Sequence, residues 1–285
     1  MITPGNRPFG CRVFFIAFAT SGANAQFYNE RHVFAESEFT MNSHALMLMA
    51  IPAFVALAGG LLAAVWAPSH QTRSMIQHFA AGVVLAALAV ELLPEIAREH
   101  PEPWHVLAAF AAGSLFMYGL KLWTLRLEHA AEQRAAASGQ AAAGMATGLL
   151  LATFIDVAVD GFIIGAGFAA GGETGTILAI GLSVELLFLG LALASDSIRG
   201  WKIVAVSGAL GLTVLGCAIL GSMLLAQASH DTIGTVLAFS AAALLYLVTE
   251  ELLMEAHEVE EKPFFTLVLF AGFLVFWAIQ LFGQG

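Results

Sequence analysis

Residues 145–169 read MATGLLLATFIDVAVDGFIIGAGFA, an apolar run whose only charges are Asp156 and Asp160. An α-helix of this length, at about 1.5 Å per residue, crosses a hydrocarbon core about 30 Å thick. A helix on the surface of a soluble protein carries a charged face along its whole length. This one concentrates two acids near its middle, four residues apart and hence on one face, and predicts a membrane span with carboxylates at bilayer depth.

Working outward, seven more stretches have the same length and apolarity: 44–66, 75–97, 104–126, 174–194, 203–226, 233–256 and 263–282. The connections between the spans are short and polar: Pro68-Ser69-His70, Arg98 to Pro103, Leu127 to Gly144, Gly171-Gly172, Asp196 to Lys202, Gln227 to Asp231, and His257 to Lys262. The 285 residues are 59% hydrophobic and 11% charged, against about 25% charged in soluble domains. The fold class expected is therefore an all-α polytopic membrane protein of eight transmembrane helices, with the lipid bilayer as its partner. The composition excludes a soluble enzyme and a disordered chain. A net charge of -10, from 21 acids against 11 bases, removes the basic footprint that nucleic-acid binding needs.

Basic residues in short loops are retained in the cytoplasm. Arg73, Lys121, Arg126, Arg134, Arg199, Lys202 and Lys262 all adjoin the first, third, fifth and seventh connections, and only Arg98 adjoins the other set. The expected location is the bacterial inner membrane, with both termini extracytoplasmic. Residues 1–40 read as an N-terminal extension and 41–285 as the eight-span transporter domain. In the extension, Arg7 and Arg12 precede the apolar run 13–19, and Ala23-Asn24-Ala25 has the form of a signal-peptide cleavage site. A start at Met41 and a structured extension are the alternatives. Cys11 and Cys217 form no CxxC or Cys/His cluster, and a small packing role is expected of Cys217.

Glu91-Leu92-Leu93-Pro94-Glu95 in span two matches Glu251-Leu252-Leu253-Met254-Glu255 in span seven, and Ala81 and Leu85 match Ala241 and Leu245 at the same offset. The two spans run in opposite directions, so the match predicts an inverted repeat, a recurrent construction in secondary transporters.

Asp156 and Asp160 in span four and Glu185 in span five fall near midspan, and no Lys or Arg does. An acid at a helix centre costs about 2.5–3.5 kcal/mol on insertion scales. A bound cation, a proton or internal water must offset that cost. The nine histidines lie in loops, termini or span ends, so the midspan ligands are all oxygen, a set that favours hard ions such as Mn²⁺, Mg²⁺ or Ca²⁺ over zinc. Nothing resembles a nucleophile with its base, and no enzymatic activity or resident cofactor is expected.

The motifs resemble those of the ZIP (Zrt/Irt-like protein) family of zinc and iron permeases over residues 42–285. Span two, from His78-Phe79-Ala80-Ala81-Gly82 to Leu92-Leu93-Pro94-Glu95, is similar to the family's FAAG…HLLPE segment. Span seven, from Leu245-Tyr246 through Glu250-Glu251 to Glu255-Ala256-His257, is similar to its LY-V---EE--PE-H pattern. Gly181 and Gly190-Leu191-Ala192 bracket the span-five motif. The resemblance implies a 3+2+3 arrangement of eight spans and inward transport of a divalent metal ion by alternating access. The ion is Zn²⁺, with Fe²⁺ or Mn²⁺ as alternatives, carried as substrate. A homodimer is admitted.

Residue by residue, the family's His-Asn-x-Pro-Glu/Asp-Gly motif falls on Asp156, Val157, Ala158, Val159, Asp160 and Gly161. Its span-five motif begins on Glu185, and both of that motif's acids are leucines here. The expected metal ligands are Asp156, Asp160, Glu185 and Glu251, with Glu91, Glu95 and Glu255 serving entry, exit or proton handling. The second of the family's two adjacent metal sites has lost most of its ligands. Loss of both motif prolines predicts unbroken helices in spans four and five. The connection after span three has only His129, so no metal-sensing loop is expected. The alternative function is a ZIP-scaffold membrane protein that no longer transports divalent metal and acts as a proton-linked or structural partner.

Overall fold

A computed structural model describes residues 43–66, 69–138, 141–192, 200–253 and 264–283. The expected extension, residues 1–40, lies outside them. Among the described residues there is no strand, and eight helices are long and apolar enough to cross a membrane: Ser43–Val65, Gln71–Arg98, Pro103–Leu127, Thr153–Ala170, Gly172–Leu191, Trp201–Leu225, His230–Glu250 and Phe264–Phe282. The chain is an all-α polytopic membrane protein. These helices are numbered one to eight below.

Spans two and seven start earlier than apolarity alone indicates, because each is capped by a polar motif. Ser69 accepts a hydrogen bond from the Thr72 backbone N–H at 3.2 Å, and Ser229 accepts one from Thr232 N–H at 3.2 Å. Each serine satisfies a helix-end donor that would otherwise lack a partner. Replacing Ser69 or Ser229 by alanine is expected to cost about 1 kcal/mol, read as a melting temperature lowered by a few degrees in detergent. At the other extreme, helix continues from span three to Ser138 through much of what reads as a connection. The alanines of 130–138 explain it, since alanine has the highest helix propensity.

The caps extend the internal repeat. Both helices run from a histidine, His70 or His230, to Ala87 or Leu247, and each then passes into a five-residue π-turn, Leu88–Leu92 and Val248–Leu252. Cap, helix and π-turn recur at one constant offset. Glu91 and Glu251 occupy equivalent places in the two turns.

The packing obeys the same exchange. Span two packs on span eight as span seven packs on span three, and span one packs on span five as span six packs on span four. Spans one to three thus correspond to six to eight, and four to five, which is a 3+2+3 inverted repeat. Two glycines repeat the relation in detail. A Cβ at Gly272 of span eight would overlap the Phe79 carbonyl oxygen, and one at Gly113 of span three would overlap that of Phe239, the counterpart of Phe79. Backbone approach this close, through small residues, is how membrane helices associate where no hydrophobic driving force separates protein from lipid. Spans two, four, five and seven are mostly buried, while three and eight turn Leu115, Phe116, Leu267, Phe270 and Leu274 outward.

Candidate metal centre

Spans four and five are unbroken α-helix over Ala141–Ala170 and Gly172–Ala192, as the missing prolines predict. Continuous helix keeps Asp156 and Asp160 one turn apart on one face. The neighbouring helices come close because Gly161 and Gly165 lie against Val214, Ala218 and Gly221 of span six, and Gly190 lies against Gly59 and Gly60 of span one. Span five then supplies Glu185 from the facing side.

Asp156, Asp160 and Glu185 each offer one carboxylate oxygen, and these oxygens all lie within 4.8 Å of one another. The three residues are 8%, 1% and 6% exposed. Among the described residues this is the only group of three or more such side chains that could hold a metal ion. At an effective dielectric constant of about 20, two unit charges at this separation repel by about 3–4 kcal/mol. Three carboxylates held together therefore favour a species that brings positive charge among them. Such oxygen-only ligands suit a divalent cation with waters completing its shell.

The other expected site residues are Glu251, the fourth expected ligand, and Glu91, Glu95 and Glu255, expected to serve entry, exit or proton handling. Glu91 and Glu95 are buried, but they serve other contacts. Glu91 accepts hydrogen bonds from Thr174 Oγ1 at 2.8 Å and Gln280 Nε2 at 2.9 Å, and Glu95 pairs with Arg98 at 2.8 Å. Glu251 lies in the second π-turn, and its side chain is outside the described residues, as is all of Glu255.

Two expectations about the surroundings need correction. His78 is not at a span end: it is buried eight residues into span two, its Nδ1 2.8 Å from the Ser74 carbonyl and its ring 5.5 Å from that of Phe265. The Ser69 cap places it there by starting the helix earlier. Lys121, which sequence places toward a loop, lines a cavity of about 20 Å³ together with Asp156, Thr124 and Tyr246. This cavity is about the size that one water requires. Lys121 keeps its place toward the loop end of span three, and the correction is to Asp156, which is the fourth residue of span four, Thr153–Ala170, and not at its middle. Glu99, the residue that follows span two, is a third buried acid in this part of the chain, 2.6 Å from His230 Nδ1. Its spacing from Glu91 and Glu95, at four-residue steps, is the sequence signal that could identify it.

No protein-family model matches the chain, and no curated protein sequence matches it.

Proposed function

We propose that the protein is a ZIP-like divalent-cation permease of the bacterial inner membrane, taking a metal ion inward by alternating access. The observation that carries this reading is the Asp156, Asp160 and Glu185 cluster, buried among membrane spans. Ionisable groups at such depth belong to ion or proton pathways far more often than to passive packing. The inverted repeat supports alternating access, because two copies of one fold with opposite orientation can exchange conformations about a site between them. The substrate is Zn²⁺, Fe²⁺ or Mn²⁺, held by three carboxylates, and the hard ligand set makes Mn²⁺ a stronger competitor than it would be at a histidine site.

The direct test is uptake into proteoliposomes, comparing Zn²⁺, Fe²⁺, Mn²⁺ and Cd²⁺. Saturable uptake of at least one ion, competed by the others, is expected. Uptake no faster than in empty vesicles for all four would favour the alternative, a protein that keeps the scaffold without moving metal.

A further inference from the structure

Glu91 is 3% exposed and lies in the π-turn of span two. Thr174 Oγ1, from the first turn of span five, donates to its Oε1. Gln280 Nε2, from the last turns of span eight, donates to its Oε2 and also to the Val90 carbonyl at 3.1 Å. The second bond has a sequence cause. Pro94 has no N–H, so the carbonyl four residues before it loses its usual α-helical donor, and Gln280 replaces that donor. In the repeat, Met254 stands where span two has Pro94. The proline that frees this carbonyl is therefore present in one half of the repeat and absent from the other.

A second asymmetry lies beside it. Span three packs closely on span four, but the counterpart interface, between spans five and eight, is not packed in the same way. A cavity of about 440 Å³ opens there, lined by Thr176, Ile177, Phe276 and Gln280 among others, with His44 and Leu48 of span one. The Gln280 side chain thus holds Glu91 on one side and borders open space on the other.

We propose that Thr174 and Gln280 form a hydrogen-bonded latch that keeps the extracytoplasmic end of the cation path shut on Glu91. This rests on the permease reading for its purpose and not for its geometry. Each Glu91 oxygen accepts from a neutral donor, the two coming from different spans, so a cation drawn to this buried carboxylate competes with them. Gln280 can leave by swinging into the adjoining cavity. Its amide suits the task, because it satisfies a carboxylate without the full charge with which Arg98 holds Glu95.

The test reads accessibility, with no metal present. Ala87, 1% exposed and four residues before Glu91 on span two, is replaced by cysteine in the full chain, which leaves both latch residues in place, and labelling by a hydrophilic maleimide is followed in detergent-solubilised protein, with the chain lacking A87C as background. Labelling of A87C is expected to be slow, and to accelerate about tenfold or more when Gln280→Leu is added, the worth of a hydrogen bond to a charged group. Gln280→Glu guards against misfolding, since it keeps the shape, removes both N–H donors and sets a second carboxyl against Glu91. It is expected to accelerate labelling as well. Unchanged labelling in both variants, in protein that still melts cooperatively, would overturn the latch. So would A87C labelling already as fast as at an exposed cysteine. Neither result would touch the uptake measurements, and absent uptake would leave the labelling result standing.

Discussion

Replacing Asp156 and Asp160 together by alanine is expected to abolish divalent-cation uptake while the protein still accumulates in the membrane. The two side chains supply two of the three oxygens that lie within 4.8 Å of one another, and Glu185 alone is a single ligand. Hard divalent ions take six or more oxygens, so losing two protein carboxylates leaves little to compete with bulk hydration. Folding should survive, because the change removes buried charge and leaves the helix intact. Alanine has the highest helix propensity, and relief of a repulsion of about 3–4 kcal/mol per charged pair offsets the small cavities. The milder Asp160→Asn keeps the shape and removes one charge. It is expected to lower uptake at least tenfold and to raise the melting temperature of the metal-free protein. Full uptake by the double alanine variant, or collapse of the neutral asparagine variant, would assign the triad a structural role.

The second large effect is expected from Gly161→Val with Gly165→Val. A Cβ at Gly161 would come to 2.5 Å from the Val214 carbonyl oxygen and 2.8 Å from the Cys217 Cβ, and one at Gly165 to 2.8 Å from the Ser222 backbone nitrogen. These obstacles are mostly backbone, which cannot rotate aside, so spans four and six have to part. Overpacking of this kind costs about 1–3 kcal/mol per site, and two sites on one interface consume much of a total stability of about 5–15 kcal/mol. The double variant should fail to give a monodisperse species in detergent, although no carboxylate has been altered. Gly216→Ala is the control in span six. Nothing lies within 4 Å of its added Cβ, and exchanging a mid-helix glycine for alanine there should stabilise by about 0.5–1 kcal/mol.

The parts of this architecture that depend on local composition are readable from the sequence. Apolar length locates the eight spans, because the bilayer imposes that length. The acids within spans four and five stand out for the same reason, and the four-residue step is enough to put Asp156 and Asp160 on one face. Helix ends are harder. Ser69 and Ser229 are polar residues that apolarity assigns to connections, although each is an N-cap, and the alanines before Ser138 carry helix beyond the membrane.

The π-turns leave no signature in hydrophobicity, since one extra residue in a wide turn changes no side chain. Only the match of Glu91 to Glu251 points toward them. The contacts of Glu91 with Thr174 and Gln280, and the place of Lys121 beside Asp156, depend on which helices become neighbours, and that is information no single span contains. The correspondence of the two halves is intermediate. It is faint in residue identities but plain once caps, turns and helix partners are compared together.

The central claim is that Asp156, Asp160 and Glu185 bind one divalent cation, and equilibrium binding to purified protein tests it most directly. Equilibrium dialysis against Zn²⁺ and Mn²⁺ at neutral pH should give one saturable site per chain. Ligand binding to the folded state raises stability by about 2.7 kcal/mol at a hundredfold excess over Kd, so the melting temperature should rise with metal concentration. In the triple variant Asp156→Asn, Asp160→Asn, Glu185→Gln, both the site and the metal-dependent rise should vanish. Stoichiometric binding that persists in the triple variant, or a parent protein that binds neither ion, would contradict the account.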